Sequence, residues 1–228
     1  EVIALLLRNC PRAAAVSDHA GLLPLHLACS CYDGGKVTLA RLLLEVYPEG
    51  AVRESNDGRT ALHVAIEAVE SLDLIHVIVS ASPKSVIMEG CGLNPLFIAL
   101  RRNCSPEIVK VLVQGYPEVA YSRDRCESLP LRRAVEARSS LETLELLAVS
   151  PRTVLDADRS MGKTALHSAL DCGVPRESMV RLMVHVAPEI ALLPSKSGQT
   201  PLLMVCHRFL QYRNRGSDPP LWNILTLL

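Results

Sequence analysis

The chain has 228 residues, with 24 basic and 24 acidic side chains, 49% apolar residues and only 4% aromatics. That length allows one or two domains, and the even charge excludes the basic surplus of a general nucleic-acid binder. The apolar content is mostly Leu, Val and Ala, which suits packed helices better than a sandwich or barrel, and runs such as Val2 to Leu7 are far short of the roughly 20 residues that cross a bilayer. No secretory leader is visible, and an opening Glu1 in place of Met reads as a piece of a longer protein.

Residues 1–16 read as the second half of a structural unit, with Val2–Arg8 as a helix and Pro11 as its stop. A frame then begins at Gly21 and returns at Gly58, Gly92, Glu127, Gly162 and Gly198, at intervals of 37, 34, 35, 35 and 36 residues. A second marker keeps step: Pro11, Pro48, Pro83, Pro117, Pro151 and Pro188. Two markers sharing one period predict stacked modules in a solenoid.

Each module reads alike. Thr60, Asn94, Thr164 and Thr200 are predicted N-caps, whose side-chain oxygens would accept a first-turn N–H. Next comes Pro24, Ala61, Pro95, Pro130, Ala165 or Pro201, at a position where proline gives up only an N–H that has no partner. The short first helix carries Leu25, Leu62, Leu96, Leu131, Leu166 and Leu202 at one offset. Ala28, Ala65, Ala99, Ala134 and Ala169 fill another, small enough for helices to approach closely. Second helices are predicted over Lys36–Val46, Leu72–Ser80, Pro106–Gln114, Leu141–Val149 and Glu177–Val186, with apolar side chains three and four apart. The recurrent proline stops each one, and a polar connector such as residues 53–57 leads to the next frame. The last unit departs from this pattern: residues 211–220 are long and polar, with Leu221–Leu228 predicted as a closing helix.

Gly162-Lys163-Thr164, preceded by Ala157, fits a relaxed phosphate loop. Yet Gly58-Arg59-Thr60 and Gly198-Gln199-Thr200 share the frame, so Lys163 falls in a variable column. The upstream segment 153–158 is also short and charged where a buried strand is needed. A nucleotide-binding enzyme using this loop is therefore a remote alternative. His26, His63 and His167 share one offset. Neighbouring helices stack about 8–10 Å apart and zinc–nitrogen bonds are about 2 Å, so the three cannot share one ion. His26-x-x-Cys29-x-Cys31 has no evident fourth ligand. Cys29 and Cys206 recur at one offset, Cys31 and Cys172 at another, and Cys91 and Cys126 each precede a frame start. Such thiols read as packing in a reducing compartment. No catalytic residue, cofactor or metal is expected.

These residues resemble the ankyrin repeat, a unit of about 33 residues with a Gly-x-Thr-Pro-Leu-His-x-Ala core. The best match is Gly58-Arg59-Thr60-Ala61-Leu62-His63-Val64-Ala65, preceded by Asp57; Gly162 to Ala169 is close, and Gly21 to Ala28 keeps Pro-Leu-His-x-Ala. The resemblance spans the chain as about six and a half units. The expected fold is one all-α solenoid over 1–228 with short loop or hairpin connectors, and a partial unit at 1–20. A Pro-Glu step, as in Tyr47-Pro48-Glu49, stands where the family has Gly-Ala. The fourth frame, Glu127-Ser128-Leu129, has no glycine and puts Arg132 in the histidine column. That puts the turn geometry of its connector, though not the fold, in question. The resemblance implies helix pairs side by side, loops projecting to one side and a concave groove used for protein–protein binding. It also implies histidine rings bonded to the backbone of the adjacent connector, and no shared catalytic residue.

Charge is uneven along the chain. Residues 41–90 hold four basic and eight acidic side chains, and residues 91–138 hold eight and five. Arginine's planar fork pairs well with carboxylates at interfaces. The expected contact set is Glu67, Arg101, Arg102, Arg123, Arg125, Arg132 and Arg133. The expected function is a non-enzymatic, intracellular (cytoplasmic) scaffold, monomeric as a fragment. It would bind a protein or peptide with an acidic segment, and neither nucleic acid nor membrane. A spacer between other domains is the alternative.

Overall fold

Pro24, Pro95, Pro130 and Pro201 each open a first helix, and Ala61 and Ala165 take the same place in two others. Proline's fixed φ suits that position, so the sequence marks these starts to the residue. In the computed structural model, residues 2–31, 34–68, 71–90, 92–171 and 177–212 are described. The predicted closing helix at Leu221–Leu228, most of the polar stretch before it, and Cys91 and Cys172 lie outside them. The chain divides into two units, Glu1–Val119 and Ala120–Leu228.

The first unit holds α1 (Val2–Asn9) and three helix pairs. These are α2 (Pro24–Ser30) with α3 (Lys36–Val46), α4 (Ala61–Ala68) with α5 (Leu72–Ala81), and α6 (Pro95–Arg101) with α7 (Pro106–Gly115). First helices pack in a row, α2 on α4 on α6; second helices pack in a parallel row, α3 on α5 on α7. The core lies between the rows, where Leu62, Ile66, Ile75, Ile78, Leu96 and Leu112 are fully buried. The second unit repeats the plan with α8 (Pro130–Glu136), α9 (Leu141–Leu147), a short α10 (Pro151–Leu155), α11 (Ala165–Asp171), α12 (Glu177–Val186) and α13 (Pro201–Tyr212). There α8 packs on α11 and α11 on α13, with α9 on α12. Among the described residues there is no β-strand, only isolated bridges at Gly90–Leu93 and Ala157–Thr164. None of their helices is long and apolar enough to cross a membrane.

Second helices fall close to their predicted bounds, with α9 two residues shorter than expected. The recurrent proline does more than stop them. Pro11, Pro48, Pro83, Pro117 and Pro188 each start a 3-10 turn of four or five residues, and Pro151 starts α10. The connector therefore begins as a helical turn where the sequence suggested only a polar link.

Two of the four predicted caps work as expected. Asn94 Oδ1 accepts the Phe97 amide (3.1 Å) and Thr200 Oγ1 the Leu203 amide (3.3 Å). Thr60 and Thr164 differ. Their hydroxyls lie 2.7 and 2.8 Å from Nδ1 of His63 and His167. The ring three residues on reaches back to the cap residue and takes the hydroxyl that would have met a first-turn amide.

The turn at each frame start needs a positive φ. Gly21, Gly58, Gly92, Gly162 and Gly198 supply it at 65–76°, and Glu127 supplies it at 58°. The fourth connector thus keeps the shared geometry despite its missing glycine. Its Glu127 amide reaches the Asp124 carbonyl (2.9 Å), as the Gly58 amide reaches that of Ser55 (2.9 Å). A Cβ in this region costs about 1–2 kcal/mol, partly offset by glycine's larger entropy loss on folding. Glu127→Gly should therefore stabilise the protein by about 0.5–1 kcal/mol in urea unfolding. The ion contacts it removes, to the half-buried Arg123 (3.9 Å) and the exposed Arg159 (3.5 Å), are long and worth little.

Candidate functional site

The three column histidines are structural ties. His26 Nδ1 accepts the Leu23 amide (3.1 Å), which leaves Nε2 to donate to the Arg59 carbonyl one connector on (3.0 Å). His63 and His167 repeat this with the carbonyls of Leu93 (3.0 Å) and Gln199 (2.9 Å). Burial pushes the pKa of His26 and His63 down, against the opposing pull of those carbonyls. Burial therefore favours the neutral form of both rings. Their contribution to stability is complete above the unfolded value near 6.5 and is lost as pH falls below it. Urea unfolding should accordingly show a less stable protein at pH 5.5 than at pH 7.5.

Four connectors are also sewn from within by a short polar side chain just before the frame start. Asp18 accepts the amides of Ala20 and Leu22 (2.9 and 2.8 Å), and Ser55 Oγ that of Arg59 (3.2 Å). Asp124 accepts those of Cys126 and Ser128 (both 2.9 Å), and Asp158 those of Met161 and Lys163 (2.5 and 3.0 Å). The sequence reading missed this column, whose signal is an Asp or Ser three or four residues before Gly21, Gly58, Glu127 and Gly162.

That column settles what the Gly162-Lys163-Thr164 loop does with its backbone. A phosphate loop must aim free amides at its ligand. Here the Met161 and Lys163 amides go to the Asp158 carboxylate, the Gly162 amide to the Asp158 carbonyl (3.0 Å), and the Thr164 amide to His167 (3.2 Å). Lys163 Nζ is held 2.5 Å from Asp171, and a helix, α10, precedes the loop in place of a strand.

The predicted contact set falls into two clusters. In the first unit, Glu67 at the end of α4 pairs with Arg59 (2.8 Å) and stands 3.7 Å from Arg101 at the end of α6. Together with His63, Gly90, Leu93 and Ile98 these residues line a niche of about 190 Å³. Arg101 is 62% exposed, and Arg102 beside it is exposed too. In the second unit, Arg123 pairs with Asp156 (2.5 Å), Arg132 with Asp158 (2.5 Å) and Glu136 (3.0 Å), and Arg133 with Asp124 (2.5 Å) and Glu136 (2.8 Å). Arg125 lies exposed on the connector between. Arg132 occupies the histidine column and ties to the next connector by charge: it forms an ion pair with that connector's carboxylate, where the histidines meet a carbonyl. Among the described residues no group of three or more His, Cys, Asp or Glu side chains is placed to hold a metal ion. Cys10, Cys29, Cys31, Cys104, Cys126 and Cys206 are free thiols, and burial pushes Cys29 up to about 12.

Residues 1–87 match the family model for ankyrin repeats, in three copies. Over those residues the sequence is similar to ankyrin repeats. Solved ankyrin domains share the fold across the chain. The ankyrin repeat domain of Bcl-3, of the IkappaB family, is 23% identical, with 99% of this chain and 91% of that one covered at a TM-score of 0.73. An ankyrin repeat domain from Acinetobacter baumannii is 23% identical over 90% of this chain and 95% of its own (TM-score 0.71). The human ASB11 ankyrin repeat domain is 17% identical over 99% and 93% (TM-score 0.64). No curated protein sequence matches the chain. Ankyrin repeats are in general modules for protein–protein interaction.

Proposed function

We propose that this chain is a non-catalytic docking module for a protein or peptide partner bearing an acidic segment. The observation that carries this reading is the division of labour among its polar groups. The connectors' polar backbone is taken up by Asp, Ser and His side chains of the repeat itself, which makes a rigid frame. Charged side chains at the ends of the first helices then stand outward on it. Docking to such a preformed surface loses little ordering entropy.

Within the expected set, Glu67, Arg101 and Arg102 form the first contact region. Arg101 is more exposed than Arg123, Arg132 or Arg133, and its contact with Glu67 is long. Arg125, exposed on a connector of the second unit, is a contact of that unit by itself. Arg123, Arg132 and Arg133 are already engaged by carboxylates of their own unit, so this reading gives them the part of holding the connectors in place.

Panning a random-peptide library against the chain tests the reading. The expected result is recovery of Asp- and Glu-rich peptides whose affinity falls at least about tenfold, with a shallower salt dependence, in Arg101→Glu/Arg102→Glu. Recovery of no peptide overturns the docking reading. Peptides that bind this variant equally well overturn the assigned surface. Reversal is confined to these two arginines because charge reversal at Arg132 or Arg133 would break pairs with buried carboxylates.

A further inference from the structure

One ion pair recurs at the same register in two modules. Arg59 and Lys163 each stand one residue after a frame glycine, and Glu67 and Asp171 stand nine after it. In both modules the two side chains meet, Arg59 with Glu67 at 2.8 Å and Lys163 with Asp171 at 2.5 Å. The module that starts at Gly92 holds Leu93 and Arg101 in those two places. A leucine stands where the base was, and a base where the acid was. The register therefore gives Arg101 no carboxylate where the other two modules have a complete pair.

Arg101 turns instead to the preceding module, where it stands 3.7 Å from Glu67. That distance is beyond a hydrogen bond, and Glu67 is already bonded to Arg59 at 2.8 Å. Arg59 is met by Asp57 as well (3.0 Å), so Arg101 is the less engaged of the two bases. Both line the niche of about 190 Å³, together with Glu67, Leu93 and Ile98. Pockets for small molecules run to about 300–1,000 Å³; this one has room for a side chain. Two guanidinium groups face one carboxylate in its lining, and Leu93 and Ile98 offer an apolar wall to a short methylene stem. The lining thus fits one further carboxylate better than a cation.

We infer that this niche seats one aspartate or glutamate side chain of the partner, and that Glu67 is the stand-in it displaces. In the unbound chain Glu67 holds Arg101 at long range. The incoming carboxylate takes Arg101 over and supplies the acid that the Gly92 module lacks, while Glu67 stays on Arg59. The seat belongs to the contact region proposed above and rests on that reading. It gives two residues of that region opposite parts: Arg101 receives the partner, and Glu67 competes with it.

The test adds N-acetylglutamic acid α-amide, whose one carboxylate is on its side chain, to the full chain and follows the amide NMR signals. Gly90, Leu93 and Ile98 should shift and saturate at millimolar probe, and the glutamine analogue should leave them in place. Arg101→Gln should weaken the probe at least about fivefold, and Glu67→Gln should tighten it at least about threefold, because the first removes an attracting charge and the second a repelling one. Arg102→Gln lies beside the niche but outside its lining, and should change the affinity by no more than about twofold. Unchanged signals away from the niche report that each variant is folded. No shift with the probe overturns the inference. So does an equal loss in Arg101→Gln and Arg102→Gln, or a Glu67→Gln chain that binds no more tightly than the parent. The panning experiment decides the broader reading separately: acidic peptides that need Arg101 and Arg102, with a single acid that shifts nothing, keep the docking surface and overturn only the niche.

Discussion

Asp158→Ala should cost the second unit about 3–5 kcal/mol, because it removes one of the two carboxylates on the largely buried Arg132 guanidinium and leaves two turn amides without an acceptor. The Asp158 side chain is 1% exposed and stands 2.5 Å from Arg132, itself only 18% exposed. It also takes the amides of Met161 and Lys163 and the Ser160 hydroxyl (2.5 Å). Asp158→Asn keeps one acceptor oxygen and should fall between wild type and alanine. The same contacts predict an acid response. Burial alone would raise the Asp158 pKa, but the two amides, the Ser160 hydroxyl and Arg132 together hold it well below the usual carboxylate range. Its stabilisation is therefore full above the unfolded pKa near 4 and is lost as pH falls towards the lower folded value. Urea unfolding at pH 7 gives the magnitude; a loss below about 1 kcal/mol for Asp158→Ala would mean the tie is replaceable by water.

The second large effect is positional. Ile78→Ala should cost about 2–5 kcal/mol, the range for deleting a packed aliphatic side chain and leaving a cavity. Leu6→Ala, at the same register position in α1, should change stability by no more than about 0.5 kcal/mol. The two residues have similar size and the same place in the module, but Ile78 is 0% exposed and Leu6 58%. Matched urea curves decide the point. Equal losses would show that stability in this unit does not follow the register.

The helices were legible because two independent signals coincide: apolar side chains at helical spacing, and a proline whose lost N–H is harmless only at a helix start. Gly162-Lys163-Thr164 could be read as a repeat turn because Gly58-Arg59-Thr60 and Gly198-Gln199-Thr200 repeat it. The histidine column was legible only through resemblance, since its carbonyl partners lie 30–33 residues away. The arginine cluster was legible as a density of charge but not as a set of bonds. Arg123 meets Asp156 across 33 residues, and nothing in a count of charges pairs them. The helical turns opened by the recurrent prolines escaped because a proline that stops one helix and one that opens the next turn look alike in sequence. The sewing column of Asp18, Ser55, Asp124 and Asp158 escaped because its residues sit in connectors, outside the apolar pattern that organised the reading.

The loop at Gly162-Lys163-Thr164 spends its backbone amides on the repeat and has none left for a nucleotide. Amide hydrogen exchange at Met161 and Lys163, with and without magnesium ATP, addresses it directly. Both amides should exchange slowly in the free protein and remain unchanged by millimolar nucleotide. Fast exchange that becomes protected only when magnesium ATP is added would contradict the account.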